Sequence, residues 1–462
     1  MQIKSYLLNS CSALLLVLRR KSRTFAAETS MKKNMKTLKT LLVAIGILPL
    51  SMTACAQTTL DDCRRMAVEN YPLLKKYGLI KASTDYTVNN IKKGYLPQVT
   101  LSGRATYQSG VAELPGVLQD MMAQHGYDPK GLGKDQYSIA LDVSQVLYDG
   151  GAIRAGRGVA KAEGEVRDRQ TDVEMYALHE RINGLYFGIL LAEDRLRLNE
   201  EMQTLLLDNC RKLEAMLENG VATQADVDAV RAEYLNSRQQ HTEIAAARDA
   251  YRNVLGLFIG RDTVGTLVKP QPVEPAGNET LRPEMSLFDA QSNRIAAQLE
   301  QADASVRPSL SLFAQGYYGY PGYNMFEDMF SRGWSLNGMV GIRLNWNIGR
   351  FYTHANDKRK LRNSMLEVEN AREVFLFSNR IQQTEDRLAV DKYRRMMRED
   401  DEIMALRTSV RKAQEARLEH GIINVNDLLQ EISRENRAGI ERSTHEIEML
   451  KSMYELQNTL NR

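Results

Sequence analysis

Residues able to do covalent chemistry are few in this chain, and none is spaced to do it. The six histidines are scattered singly, and there is no Gly-x-Ser-x-Gly elbow and no phosphate-cradling P-loop. The many Asp/Glu pairs recur at helical spacing, where they mark solvated faces. Cys63 and Cys210 stand far apart in helical patterns, which is neither a disulfide framework nor a metal-binding spacing. The sequence therefore calls for no enzyme, no metal and no cofactor.

The chemistry that does stand out is that of wetting. From Trp334 to Ile348 the residues separate at period two. Trp334, Leu336, Gly338, Val340, Ile342, Leu344, Trp346 and Ile348 fall on one face; Ser335, Asn337, Met339, Gly341, Arg343, Asn345 and Asn347 fall on the other. The only two tryptophans of the chain lie on the apolar face. Their separation along a strand is roughly 40 Å, or roughly 30 Å of height at barrel tilt. That suits an apolar band about 25 Å tall, rimmed by aromatic girdles at Trp334 and Trp346, with Asn337, Arg343, Asn345 and Asn347 facing a water-filled lumen. A soluble, half-buried strand with two core tryptophans is the other reading of this segment alone.

Such a strand must be held by the rest of the chain, and what flanks it is helix. Residues 57–94 read as helix, entered through a Thr59/Asp62 capping pattern and interrupted early by Pro72. Residues 95–150 read as a hairpin with a long polar loop between Val99–Tyr107 and Tyr137–Val143. Residues 151–263 read as helices, the first running unbroken to Asn219-Gly220, which is roughly 100 Å. Within it Leu178, Ile182, Leu185, Ile189, Ala192 and Leu196 form a coiled-coil seam. A Pro-rich linker at 264–283 is followed by helix at 284–306, a second hairpin at 307–350 and helices over 351–462.

The second half thus repeats the first, each repeat holding one hairpin, one long helix and two shorter ones. Leu217-Glu218-Asn219-Gly220-Val221 matches Leu418-Glu419-His420-Gly421-Ile422, and Ala225-Asp226-Val227 matches Asn426-Asp427-Leu428. Within the first repeat the two shorter helices together equal the long one, so they could stack end to end along it and bury its seam. Four strands cannot close a membrane barrel, and open edges are not tolerated in lipid. Three copies would supply twelve strands, so the expected fold is a trimeric 12-stranded membrane β-barrel continued by a long α-helical, coiled-coil-like tunnel.

The N-terminus reads as an export signal over residues 31–56. Lys32, Lys33, Lys36 and Lys39 charge its start, Leu41–Leu50 is apolar, and Ala54-Cys55-Ala56 offers cleavage before Gln57. Residues 1–30 then read as an upstream extension from a misplaced start. Met52-Thr53-Ala54-Cys55 loosely resembles a lipoprotein box, which makes Cys55 a candidate lipid anchor. The formal charge of +3 owes its sign to residues 1–39, which carry nine Lys/Arg and one Glu. No basic footprint for nucleic acid is left.

Taken in order, several short motifs resemble the TolC family of outer-membrane efflux proteins over residues 57–462. They are Asn70-Tyr71-Pro72-Leu73, Tyr95-Leu96-Pro97-Gln98-Val99, Tyr148-Asp149-Gly150-Gly151, Arg282-Pro283-Glu284, and the two turns in which Gly220 and Gly421 are followed by Asp226 and Asp427. The resemblance implies a homotrimer in the outer-membrane lipid of a Gram-negative bacterium, with a periplasmic tunnel. It also implies a tripartite system in which a periplasmic adaptor and an inner-membrane transporter pass drugs, metal ions or proteins to the channel. In the family the turns at Gly220 and Gly421 form the periplasmic tip and meet the adaptor. Both glycines have a structural reading too, as left-handed helix C-caps, with Asp226 and Asp427 near the next helix start.

Some members line the tip constriction with carboxylates. Here Arg211 and Lys412 stand nine residues before the two tip glycines, and Glu415 and Glu419 are the nearby acids for a candidate gate ring. A solvated helix face is the plainer reading of both. The alternative of another class is an exported structural coiled-coil protein, an adhesin or scaffold with soluble hairpins. A cytosolic helical scaffold is opposed by the export signal.

Overall fold

The computed structural model describes residues 57–129, 131–275 and 277–461. The upstream extension, the signal segment and Cys55 lie outside the described residues. The chain opens with helix α1 (Leu60–Asn70), capped by the Thr59 side chain, which accepts from the Asp62 amide at 3.2 Å. Helix α2 (Leu74–Lys92) follows. The piece before Pro72 is a helix of 11 residues, about three turns. Tyr71, forced out of the α region by the proline after it, is extended at ψ 127° and ends α1.

A single 3₁₀ turn at Lys93–Tyr95 leads into β1 (Gln98–Tyr107), which is joined to β2 (Asp135–Tyr148) by a connection containing helix α3 (Gly116–Gln124). Composition alone gave that connection no helix. Two long antiparallel helices come next, α4 (Ala152–Glu218) and α5 (Gln224–Ile259). The second repeat runs α6 (Pro283–Ser305), β3 (Ser309–Tyr320), a connection with helix α7 (Met325–Phe330), β4 (Ser335–Asn345), α8 (Phe351–Glu419) and α9 (Val425–Leu460).

The strand expected over Trp334–Ile348 is therefore shorter than its alternation. The Trp346 Nε1–H donates to the Val306 carbonyl at 3.0 Å, and the chain coils into a 3₁₀ turn at Ile348–Arg350. Both tryptophans consequently flank β4 rather than lie within it. The four strands form one sheet in the order β1-β2-β3-β4, with every neighbouring pair antiparallel. Its two edges, β1 and β4, have no partner strand among the described residues.

Sixty-seven and 69 residues make α4 and α8 each about 100 Å long. The shorter helices lie end to end along them. The C-terminus of α5 meets the α1–α2 joint, where Asn70 Nδ2 donates to the Leu257 and Phe258 carbonyls. In the second repeat α9 ends against the start of α6: the Leu281 amide donates to the Leu460 carbonyl at 2.9 Å, and Thr280 Oγ1 to the Thr459 carbonyl at 3.1 Å. The seam of α4 is buried at Leu178, Ile182, Ile189, Ala192 and Leu196.

The main core lies at this mid-level joint, around Tyr186, Phe187, Leu255, Ile447 and Leu450. Tyr186 is fully buried, and its hydroxyl reaches the carbonyls of Thr58 at 2.9 Å and Val268 at 2.6 Å. It thereby ties the lone bridge between Thr58 and Leu267 to α4. A second cluster, including Leu206, Leu213, Val230, Leu428 and Ile432, lies toward the helix ends far from the sheet. Among the described residues no helix is long and apolar enough to cross a membrane.

Candidate functional site

The sheet has one apolar and one polar face, and its register carries both across all four strands. Leu101 pairs with Leu141, Leu141 with Gly316, and Gly316 with Gly338; Val143 pairs with Ala314 and Ala314 with Val340. On the polar face Thr100 pairs with Asp142, Asp142 with Gln315, and Gln315 with Met339. In a soluble protein the apolar face would be the buried one. Here it is bare: Leu101 is 71% exposed, Leu336 81% and Val340 73%. So large a contiguous apolar surface needs a partner or a lipid.

An aromatic cluster stands at each end of β4. At the end distant from the long helices, Trp334 stacks on Tyr137 at 6.4 Å between ring centroids and contacts Tyr318 at 5.2 Å. At the other end Trp346 meets Phe351 edge-on at 6.4 Å. Both indoles remain about half exposed, an amphipathic placement suited to a polar–apolar boundary.

The candidate lumen residues divide into two groups. Asn345 and Asn347 line an open cavity of about 800 Å³ at the sheet–helix junction, together with Asp149, Arg307 and Arg350. Arg343 lays its guanidinium over the Phe313 ring at 4.8 Å. Asn337 is covered instead: it accepts from the Tyr323 amide at 3.3 Å and donates to Ser335 Oγ at 2.9 Å. The sequence reading missed Asp142, Gln315, Tyr317 and Tyr323 on this face. Continuing the period-two count across β2 and β3 finds the first three; Tyr323, in a loop, has no periodic signal.

At the opposite end of the helices the two repeats build one turn twice. Gly220 and Gly421 are left-handed, with φ of 73° and 69°. The Gly220 amide donates to the Leu217 carbonyl at 2.9 Å and the Val221 amide to the Met216 carbonyl at 2.8 Å; Gly421 and Ile422 do the same with Leu418 and Arg417. These are paired Schellman closures, which need φ above zero. Asp226 accepts from the Thr223 amide at 2.9 Å and hydroxyl at 2.6 Å, while its own amide donates to Thr223 Oγ1 at 3.3 Å. Asn424 and Asp427 form the second capping box. The Thr223 bonds hold the Asp226 carboxyl below its ordinary range. Both Asp residues thus start helices. Val221 and Ile422, the residues that leave the turns, are left exposed.

The candidate gate acids are already matched within the one chain. Glu415 pairs with Arg411 at 2.8 Å, and Arg411 also contacts Glu435 on α9. Glu419 pairs across the two long helices with Lys212 at 3.0 Å. That ammonium holds the Glu419 carboxyl below its usual value.

Residues 64–261 match the family model for outer membrane efflux protein. A search of curated proteins finds no significant sequence match. Among solved structures the fold is similar to the outer membrane protein VceC from Vibrio cholerae, with TM-score 0.65, 14% identity, and 87% of this chain and 95% of that one covered. It is similar also to the Campylobacter jejuni CmeC outer membrane channel, at TM-score 0.60 and 13% identity over 87% and 85% of the two chains. The Neisseria gonorrhoeae MtrE outer membrane channel, solved in its open state, gives 0.61 and 15% over 87% and 88%. The bare two-faced sheet and the duplicated long helices thus give this chain the fold of these outer membrane channels, and the stretch from residue 64 to 261 resembles the outer membrane efflux protein family.

Proposed function

We propose that three copies of the chain close their sheets into one 12-stranded barrel through the outer membrane, and that the helices continue it as a tunnel in the periplasm. The observation that carries this reading is the pair of strand edges without a partner strand among the described residues, on a sheet whose apolar face is largely exposed. An open sheet edge in hydrocarbon costs several kcal/mol for each unpaired backbone group, and closure against β1 of a neighbouring copy removes that cost from β4. Trp334 and Trp346 then mark the two rims, and Arg343, Asn345 and Asn347 face water, with Asn337 beneath its loop.

The tips, with Gly220, Asp226, Gly421 and Asp427 shaping the turns, meet a periplasmic adaptor. An inner-membrane transporter loads the tunnel, whose cargo leaves at the cell surface. Glu415 and Glu419 serve there as ion-pair partners of Arg411 and Lys212 rather than as an open cation ring, because each carboxylate already has its cation. Cys55 remains the candidate lipid anchor.

Sedimentation of the detergent-solubilised protein tests the assembly. A trimer is expected; a monomer with intact strand signal would sink the shared barrel. Orientation is tested with a membrane-impermeant maleimide on intact cells. Asp120→Cys, in the β1–β2 connection, should label from outside, and Asp228→Cys, near the tip, should label only after the outer membrane is opened.

A further inference from the structure

The β3–β4 connection does not reach away from the sheet but folds back over its polar face. Register places Gln315, Tyr317 and Asn337 on that face, with Tyr317 directly opposite Asn337. Tyr323 lies over all three. Its ring stacks on Tyr317 with centroids 5.5 Å apart, its hydroxyl donates to Gln315 Oε1 at 2.8 Å, and its amide donates to Asn337 Oδ1 at 3.3 Å. Gln315 in turn donates to Asp142 Oδ1 at 2.6 Å, so the polar contacts run across three strands.

The rest of the loop is built to hold that ring in place. Gly322 presses so near β4 that a Cβ there would stand 1.9 Å from Ser335 Oγ, so any larger residue would have to displace that hydroxyl. Its amide donates to Asp328 Oδ2 at 2.6 Å, and Asp328 is buried. Tyr317 donates its hydroxyl to the Pro321 carbonyl at 2.8 Å. From the other connection, the Gly133 amide donates to the Tyr320 hydroxyl at 2.7 Å, and Leu132, Tyr320 and Met329 close a small apolar cluster of their own. The loop is thus fastened to the strands by side chains from both connections.

We propose that Tyr323 and its loop form a constriction at the outer mouth of the channel, and that three copies set the size of solute that can pass. This rests on the barrel reading above, in which the polar face is the lumen face. There the Tyr317 side chain stands off the wall and the Tyr323 ring adds a second layer, at a contact distance of about 3.5–4 Å. The hydrogen bonds to Gln315 and Asn337 keep that layer from swinging clear. Size selection at this mouth is separate from whatever the tip admits, because the two lie at opposite ends of the helices and sheet.

The test is asymmetric polymer exclusion. The full-length protein is reconstituted in planar bilayers, and polyethylene glycols of graded mass are added to the loop side or to the helix side. The mass at which a polymer stops reducing conductance measures the mouth it enters. Tyr323→Ala is expected to move the loop-side cut-off to larger polymers and leave the helix-side cut-off where it was. Tyr323→Phe, which keeps the ring and loses the bond to Gln315, should fall between, and Tyr323→Trp should move the cut-off the other way. Variants that form channels with an unchanged loop-side cut-off overturn the constriction. A wild-type protein that forms no channel overturns the barrel reading instead.

Discussion

Asn70 and Gly260 compete for one space at the joint where α5 ends against the first two helices. Asn70 Nδ2 donates to the Leu257 and Phe258 carbonyls at 3.2 and 3.1 Å, and a Cβ on Gly260 would lie 2.8 Å from Asn70 Cγ. The side chain of one repeat's first helix thus closes the carbonyl end of its last. Asn70→Ala should cost about 1 kcal/mol, the usual worth of such hydrogen bonds. Gly260→Ala should cost more, because its φ of 68° adds left-handed strain of about 1–2 kcal/mol to the collision. Thermal melts of the detergent-solubilised protein, followed by helical circular dichroism, would rank the two; the reverse order would show that the joint is looser than its geometry.

Val340 lies in the middle of β4, on the bare face. Val340→Arg should impair assembly by about 2–4 kcal/mol per chain, the cost of a cation near the bilayer midplane. Asn345→Arg, on the polar face beside the open junction cavity, should be milder. Asn337 is the poorer control, since it also holds the Tyr323 amide. Trimer yield on unboiled gels compares the variants, and equal losses would reverse the face assignment.

Gly421 has open space around its Cβ position, so a larger side chain there meets no neighbour. What Gly421→Val would disturb is the left-handed turn, at about 1–2 kcal/mol, far from the sheet. Assembly should survive while export falls, and Gly220→Val should behave alike. Drug susceptibility read beside heat-modifiable migration separates the two effects. Loss of the trimer in step with export would make the turns structural only.

Asp386 is buried on α8, where it accepts from Thr459 Oγ1 at 3.0 Å and Gln382 Nε2 at 2.9 Å. Burial raises its pKa above the ordinary 3.8, outweighing those bonds. A raised folded-state value means that the fold binds the proton more tightly than the unfolded chain. The stability it contributes is full below the unfolded value and is lost as pH rises through the folded one. Glu455, raised by burial as well, acts in the same direction. The Asp386 contribution to melting temperature should therefore fall as pH rises through its raised folded-state value, against the opposite contribution of lowered carboxylates such as Asp226 and Glu419. Asp386→Asn should make the melting temperature fall less, or rise more, with pH than in the wild type. A variant with the wild-type slope would assign the pH dependence elsewhere.

Much of the architecture could be read in the residues, because it rests on local periodicities. Alternation from Leu336 to Leu344 made β4 a strand, the heptad spacing from Leu178 to Leu196 made a seam, and the paired Gly220 and Gly421 stretches revealed the duplication. Each signal is carried by neighbours along the chain, where backbone geometry alone decides which side chains share a face. The strand ends were less legible: Trp346 continues the alternation perfectly well, but β3 offers it no partner before Ser309, and its indole bonds instead to Val306, forty residues away.

What the tertiary structure alone decided is what the polar groups do. The sequence offered Glu415 and Glu419 as acids for a gate ring, with a solvated helix face the plainer reading, and folding set Arg411 and Lys212 beside them. It marked Asn337 as a lumen residue, and folding laid Tyr323 across it. A side chain's type and spacing determine which face it occupies. Which partner reaches that face depends on contacts between residues distant in the chain, and those exist only once the helices and strands have packed.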